Sequence, residues 1–139
     1  MSLTVEEFNA VHARVDVNGP TTVQGELAAL LSELTGYLVR RPLHQCDGEG
    51  HLEGLPGWSI GCKHHANATQ ALVAGWWRQA IKQAERICAE PVLFYRSDRG
   101  QWRAVWSASL LTHDGAELAP AHTLEADPTT WWALVQHLS

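Results

Sequence analysis

Trp58-Ser59-Ile60-Gly61-Cys62-Lys63, the run Ala68 to Ala89, and Pro91-Val92-Leu93-Phe94-Tyr95-Arg96 are the stretch that decides the fold. The first and third segments are short and rich in apolar residues, as buried strands are. The middle segment repeats Leu72, Trp76, Ala80, Ile81, Ala84, Ile87 and Cys88 on one side at helical spacing, with Arg78, Lys82, Gln83, Glu85 and Arg86 largely on the other. Pro91 cannot continue a helix. A strand, a long helix and a second strand make a crossover that joins parallel neighbours.

Working outward, Ser97-Asp98-Arg99-Gly100 separates Val92–Arg96 from Trp102–Trp106, which predicts a hairpin. Upstream, Pro56-Gly57 separates His51–Leu55 from Trp58–Lys63, a second hairpin signal. Leu27, Leu30, Leu31 and Leu34 recur at three and four residues, with Thr21 or Thr22 to cap the helix and Gly36 to stop it. Tyr37–Arg41 reads as extended before Pro42. Asp127-Pro128 opens a final helix to about Leu138. The expected class is mixed α/β: a central mixed sheet of about five strands (37–41, 51–55, 58–63, 92–96 and 101–110) flanked by helices at 22–35 and 68–89. The length of 139 residues predicts a single domain, with 1–20 as a peripheral arm, 22–106 as the core, and 107–139 as a closing strand or loop and helix.

Apolar residues are 45% and charged residues 18%, a globular balance, and no apolar run reaches the roughly 18 residues that span a bilayer. Glu6 and Glu7 interrupt any secretory pattern, and three cysteines (Cys46, Cys62, Cys88) make no disulfide framework, so a cytoplasmic protein without membrane contact is expected. The net charge of −5 is unevenly spread. Gly36–Val105 holds nine Lys/Arg against six acids, while the flanks hold Arg14 against nine acids. A basic centre suits phosphate contact despite the acidic total. The seven tryptophans fit packing: in the adjacent pairs Trp76-Trp77 and Trp131-Trp132, one ring of each can face a core and the other its border.

Gly54-Leu55-Pro56-Gly57-Trp58-Ser59-Ile60-Gly61-Cys62-Lys63 follows a helix containing Gly25-Glu26 and the run Gly36-Tyr37-Leu38-Val39-Arg40-Arg41. It precedes Trp77-Arg78-Gln79-Ala80 and Pro91–Arg96. Over residues 22–106 this pattern resembles the small phage and prophage members of the PD-(D/E)XK nuclease superfamily. The resemblance implies a restriction-endonuclease-like core in which an acid on the first helix, an aspartate on the second strand and Glu-X-Lys on the third hold Mg²⁺ or Mn²⁺ and activate water, supported by a glutamine on the next helix. Carried over, Lys63 takes the lysine position, Gln79 the glutamine position and Glu26 the helical acid position. His51 stands where the aspartate is expected and Gly61 where the glutamate is expected, so two of three carboxylates are missing. Hard cations prefer oxygen ligands. Glu53 shares the two-residue period of His51 and is a candidate replacement ligand beside Glu26, with Asp47 and Glu49 in the preceding loop.

The expected function is therefore a nuclease-like protein that acts on or binds DNA, through Arg40, Arg41 and Arg78, with metal-dependent hydrolysis impaired. The alternative is a catalytically inactive nuclease-fold binding module for a protein partner, such as a phage inhibitor of a host defence complex. The family also includes many homodimers. His44, Cys46, His51, Cys62, His64 and His65 crowd the same region, but neither Cys-X2-Cys nor His-X3-His occurs, so Zn²⁺ is not the expected cofactor.

Overall fold

The structure is a computed structural model of the chain, and it describes residues 22–42, 51–111 and 122–138. The expected arm at 1–20 lies outside the described residues. The chain divides into two compact units, Met1–Pro56 and Gly57–Ser139. Within the second unit four strands lie in sequence order in one sheet, with parallel and antiparallel pairs. Among the described residues no helix is long and apolar enough to cross a membrane.

In the first unit, α1 (Val23–Thr35) starts where the Thr22 hydroxyl accepts the Gly25 N–H at 2.9 Å, satisfying one of the donors a helix start leaves open. It ends at Gly36, whose φ of 80° is the left-handed conformation that glycine tolerates best. Leu27, Ala28 and Leu31 form its buried stripe, and Val39, Leu52 and Leu55 are the other buried apolar side chains among the unit's described residues. The fully buried Ser32 accepts the Val39 N–H at 2.9 Å and donates to the Val39 carbonyl at 3.1 Å. That clip explains a correction. The expected strand 37–41 is reduced to one antiparallel bridge, Arg40 with Glu53, because both backbone groups of Val39 are taken by a side chain and Pro42 has no N–H to extend a ladder. The expected strand 51–55 is likewise only β1 (His51–Leu52). Gly54 breaks it with a φ of 116°, and a β-carbon there would sit 2.0 Å from the Leu38 carbonyl oxygen, so only glycine permits this approach.

In the second unit, β2 (Trp58–His65) runs parallel to β3 (Glu90–Ser97), with Gly61 opposite Leu93 and Lys63 opposite Tyr95. The helix between them, α2 (Gln70–Arg86), is capped by Thr69. It stops short of the expected Ala89. Cys88 adopts φ 54° while Cys88 N–H reaches the Glu85 carbonyl and Ala89 N–H the Ala84 carbonyl. This is the Schellman closure, built on a cysteine where glycine is usual. β4 (Arg103–Ser107) returns antiparallel to β3, as the hairpin signal requires. The expected strand to residue 110 ends early because the Ser107 hydroxyl captures the Ser109 N–H at 3.3 Å and starts a 3₁₀ turn, Ala108–Leu111. β5 (Thr123–Ala126) pairs antiparallel with β4, and α3 (Pro128–Val135) follows its Asp127 cap.

Each face of this unit's sheet carries a helix. Trp77 and Ala80 of α2 pack with Leu93 and Val105. On the other face, the buried Trp131 of α3 meets Phe94 edge to face at 5.2 Å and Trp58 at 5.1 Å. The tryptophan pairs divide as expected: Trp77 and Trp131 are buried, Trp76 and Trp132 half-buried.

Candidate functional site

The candidate residues named by the resemblance take their places along the chain as follows. Glu26 lies exposed in the first turn of α1. His51 is half-buried on β1, and its carbonyl accepts the side-chain amide of Gln24 at 2.8 Å, so the start of α1 is tied directly to β1. Within the first unit Glu26 and His51 are thereby brought to one end of α1.

Glu53, the candidate replacement ligand, is otherwise engaged. Its backbone exchanges hydrogen bonds of 2.8 and 2.9 Å with Arg40, and its carboxylate meets the Arg40 guanidinium at 3.4 Å. Arg40 and Glu53 thus neutralise one another, the first as a phosphate contact and the second as a cation ligand. The pair is about half exposed, where such bridges contribute little stability. Arg41 is half-buried. His44, Cys46, Asp47 and Glu49 lie outside the described residues.

On β2 the two-residue period sends Ser59, Gly61 and Lys63 to the α2 side, and Trp58, Ile60 and Cys62 to the Trp131 side. Gly61 is the informative position. A β-carbon built on it would touch Leu93 Cδ1 at 3.5 Å and Ala80 Cβ at 3.9 Å, ordinary contact distances inside the apolar layer under α2. A carboxylate projecting from there would have to leave water among Trp77, Ala80, Leu93 and Val105, at substantial cost unless a cation compensated it. Lys63 is half-buried beside Tyr95 in register. Gln79 is exposed. With Trp77, Ala80 and Ala84 facing the sheet, the helical period turns Gln79 outward, so it does not join Lys63.

Among the described residues no group of three or more His, Cys, Asp or Glu side chains converges as a metal site. The residues at the positions to which the resemblance would assign Mg²⁺ fit the ion poorly: one is a glycine in an apolar layer, another is a histidine, and Glu53, the candidate substitute acid, is paired. Cys62 is equally unsuited to zinc, since burial pushes its thiol up to about 12 against the opposing pull of Lys63 and Arg96. His64 is exposed and pairs with Asp98 at 2.6 Å.

The outer face of α2 carries a different arrangement, only partly anticipated. Arg78, Lys82 and Arg86 are all exposed and recur every four residues, one per turn at about 6 Å of axial rise. None has an ion-pair partner among the described residues. Like charges at this spacing repel by a few tenths of a kcal/mol per pair, so the helix carries the ridge at a cost to itself. Of these three, the sequence named only Arg78 as a DNA contact, although all three were expected on the polar side of the helix. The spacing of four that adds Lys82 and Arg86 was present in the same run. No family model, curated protein or solved structure matches the chain.

Proposed function

We propose that the protein is a nuclease-like DNA-binding module of the PD-(D/E)XK type, acting in the cytoplasm, in which metal-dependent phosphodiester hydrolysis is impaired. The observation that carries this reading is Gly61: the residue two before Lys63 on β2 has no side chain and faces Leu93 and Ala80. The order first helix, single bridge, short strand, long strand, crossover helix and parallel strand supports the ancestry, since it is the order in which the resemblance distributes its site residues. The ridge Arg78, Lys82 and Arg86 supports DNA as the partner, because it supplies unpaired positive charge at regular spacing, and phosphate contacts dominate nucleic-acid affinity.

Two measurements test the reading together. Labelled duplex and branched DNA should bind in the absence of divalent metal, and plasmid or branched substrates should remain uncut with Mg²⁺ or Mn²⁺. The repaired variant His51→Asp with Gly61→Glu should then gain Mn²⁺-dependent thermal stabilisation that wild type lacks, of about 2.7 kcal/mol at a hundredfold excess over the dissociation constant. Efficient wild-type cleavage would overturn the impairment. A folded double variant without any metal response would overturn the ancestry. Failure to bind DNA would transfer the assignment to the alternative, a nuclease-fold scaffold for a protein partner.

A further inference from the structure

Between the N-terminal half of α2 and the α2-facing side of β3, β4 and β5 lies a cleft of about 450 Å³. Its floor is apolar, made by Val73, Trp77 and Ile81 of the helix and Val105 of the sheet. The volume falls within the range of small-molecule pockets, which are typically apolar with a few placed polar groups. The cleft sits toward the carboxyl ends of the parallel strands β2 and β3, where open α/β sheets commonly hold their ligands.

The polar groups on its rim decide what it would take. Glu125 is already satisfied: Arg103 Nε meets its carboxylate at 3.1 Å, and the Tyr95 hydroxyl donates to it. Burial and this carboxylate together keep the Tyr95 hydroxyl protonated, pushing it up to about 12. Tyr95, Glu125 and Arg103 thus form a set whose charges cancel. Arg78 is different. It is exposed at the rim without an ion-pair partner among the described residues, and its Nη2 lies 3.7 Å from where a side chain on Gly75 would begin. The guanidinium therefore folds back across a helical turn that glycine leaves bare, toward the N-terminal, positive end of α2.

We propose that this cleft binds a small apolar carboxylate, with its hydrocarbon or aromatic body on Trp77, Val73, Ile81 and Val105 and its carboxylate on Arg78. Among the described lining residues a cationic ligand would find no unpaired carboxylate, and a heavily hydrated dianion would gain nothing from the apolar floor. A monoanion with an apolar body matches both the floor and the one unpaired charge among the described lining residues, and the guanidinium fork donates to a carboxylate bidentately. This inference shares Arg78 with the proposed DNA ridge but neither Lys82 nor Arg86, which do not line the cleft, so variants at those two positions separate the two readings.

The probes are 4-phenylbutyrate and its uncharged amide, titrated into the full-length chain and followed by the indole resonances in two-dimensional NMR. Phenylbutyrate should saturate at millimolar concentrations and shift the Trp77 indole, and the amide should bind about tenfold more weakly. Arg78→Gln, a change at an exposed helical position, should erase that preference, leaving acid and amide equal, whereas Lys82→Gln should preserve it. Equal binding of acid and amide to wild type, an undiminished preference in Arg78→Gln, shifts confined to residues outside the cleft, or no saturation would each overturn the proposal.

Discussion

Replacing Lys82 and Arg86 by alanine isolates the α2 ridge from the cleft, since neither residue lines it. Both side chains are exposed on a well-capped helix, and alanine is the best helix former, so the variant should fold as wild type does. Removing the i, i+4 repulsions Arg78–Lys82 and Lys82–Arg86 should add about 0.4–1 kcal/mol, while losing the Arg86 cation from the last turn forfeits about 0.3–1 kcal/mol, so stability should stay within about 0.5 kcal/mol of wild type. Binding should fall. Each phosphate contact on duplex DNA contributes about −0.9 to the slope of log affinity against log salt, so losing two contacts should flatten the slope by about 1.8. Across a fourfold rise in salt, from about 50 to 200 mM, wild type should then lose about tenfold more affinity than the variant. Fluorescence anisotropy on a labelled duplex over that salt series measures the slope, and thermal unfolding of the same samples excludes a folding defect. An unchanged slope in a folded variant would refute the assignment of this ridge to phosphate contact.

Three further outcomes follow from the packing. Ser32→Ala leaves the buried Val39 N–H and carbonyl without their partner and should cost about 2–4 kcal/mol in denaturant unfolding; a loss under about 1 kcal/mol would show that the clip is dispensable. Cys88→Gly relieves a left-handed residue of its β-carbon and should raise Tm by about 2–4 °C, whereas a fall would refute the strain at that cap. Because the folded pKa of Tyr95 is raised, its contribution to stability is present below the ordinary value of 10.0 and is lost as pH rises toward about 12. Tyr95→Phe should flatten stability over that alkaline window, and absorbance titration should show Tyr95 ionising above the ordinary tyrosine range.

The elements with strong internal periodicity were legible in the sequence. The leucine stripe of α1, the strand–helix–strand run of residues 58–96 and the Asp127-Pro128 start each carry their own signal, and each forms. The elements that failed were those decided by a distant partner. Nothing in Tyr37–Arg41 announces that Ser32 will take both backbone groups of Val39. β5 is short, largely exposed and without alternation, so only its pairing with β4 makes it a strand. The same division holds for the site. The opposed faces of Cys62 and Lys63 follow from parity along one strand, and that was readable. The pairing of Glu53 with Arg40, the outward turn of Gln79 and the apolar surroundings of Gly61 depend on neighbours far along the chain. The set Tyr95, Arg103 and Glu125 joins three strands and had no local signal.

The placement of the thiols gives the molecule a built-in clock. Cys88 is exposed, whereas Cys62 is 6% exposed on the Trp131 side of the sheet, with a thiol whose ionisation burial disfavours. With Cys46 replaced by serine, an alkylating reagent added to the native protein should modify Cys88 at once and then wait on Cys62. Each modification of Cys62 records a moment when β2 has parted from its cover, so the slow phase counts openings of the sheet without denaturant. Its rate, compared with that of an unfolded control, converts directly into the free energy of that opening when reclosing outpaces the reagent. The buried thiol thus makes the stability of the second unit measurable on its own, under the conditions in which the protein works.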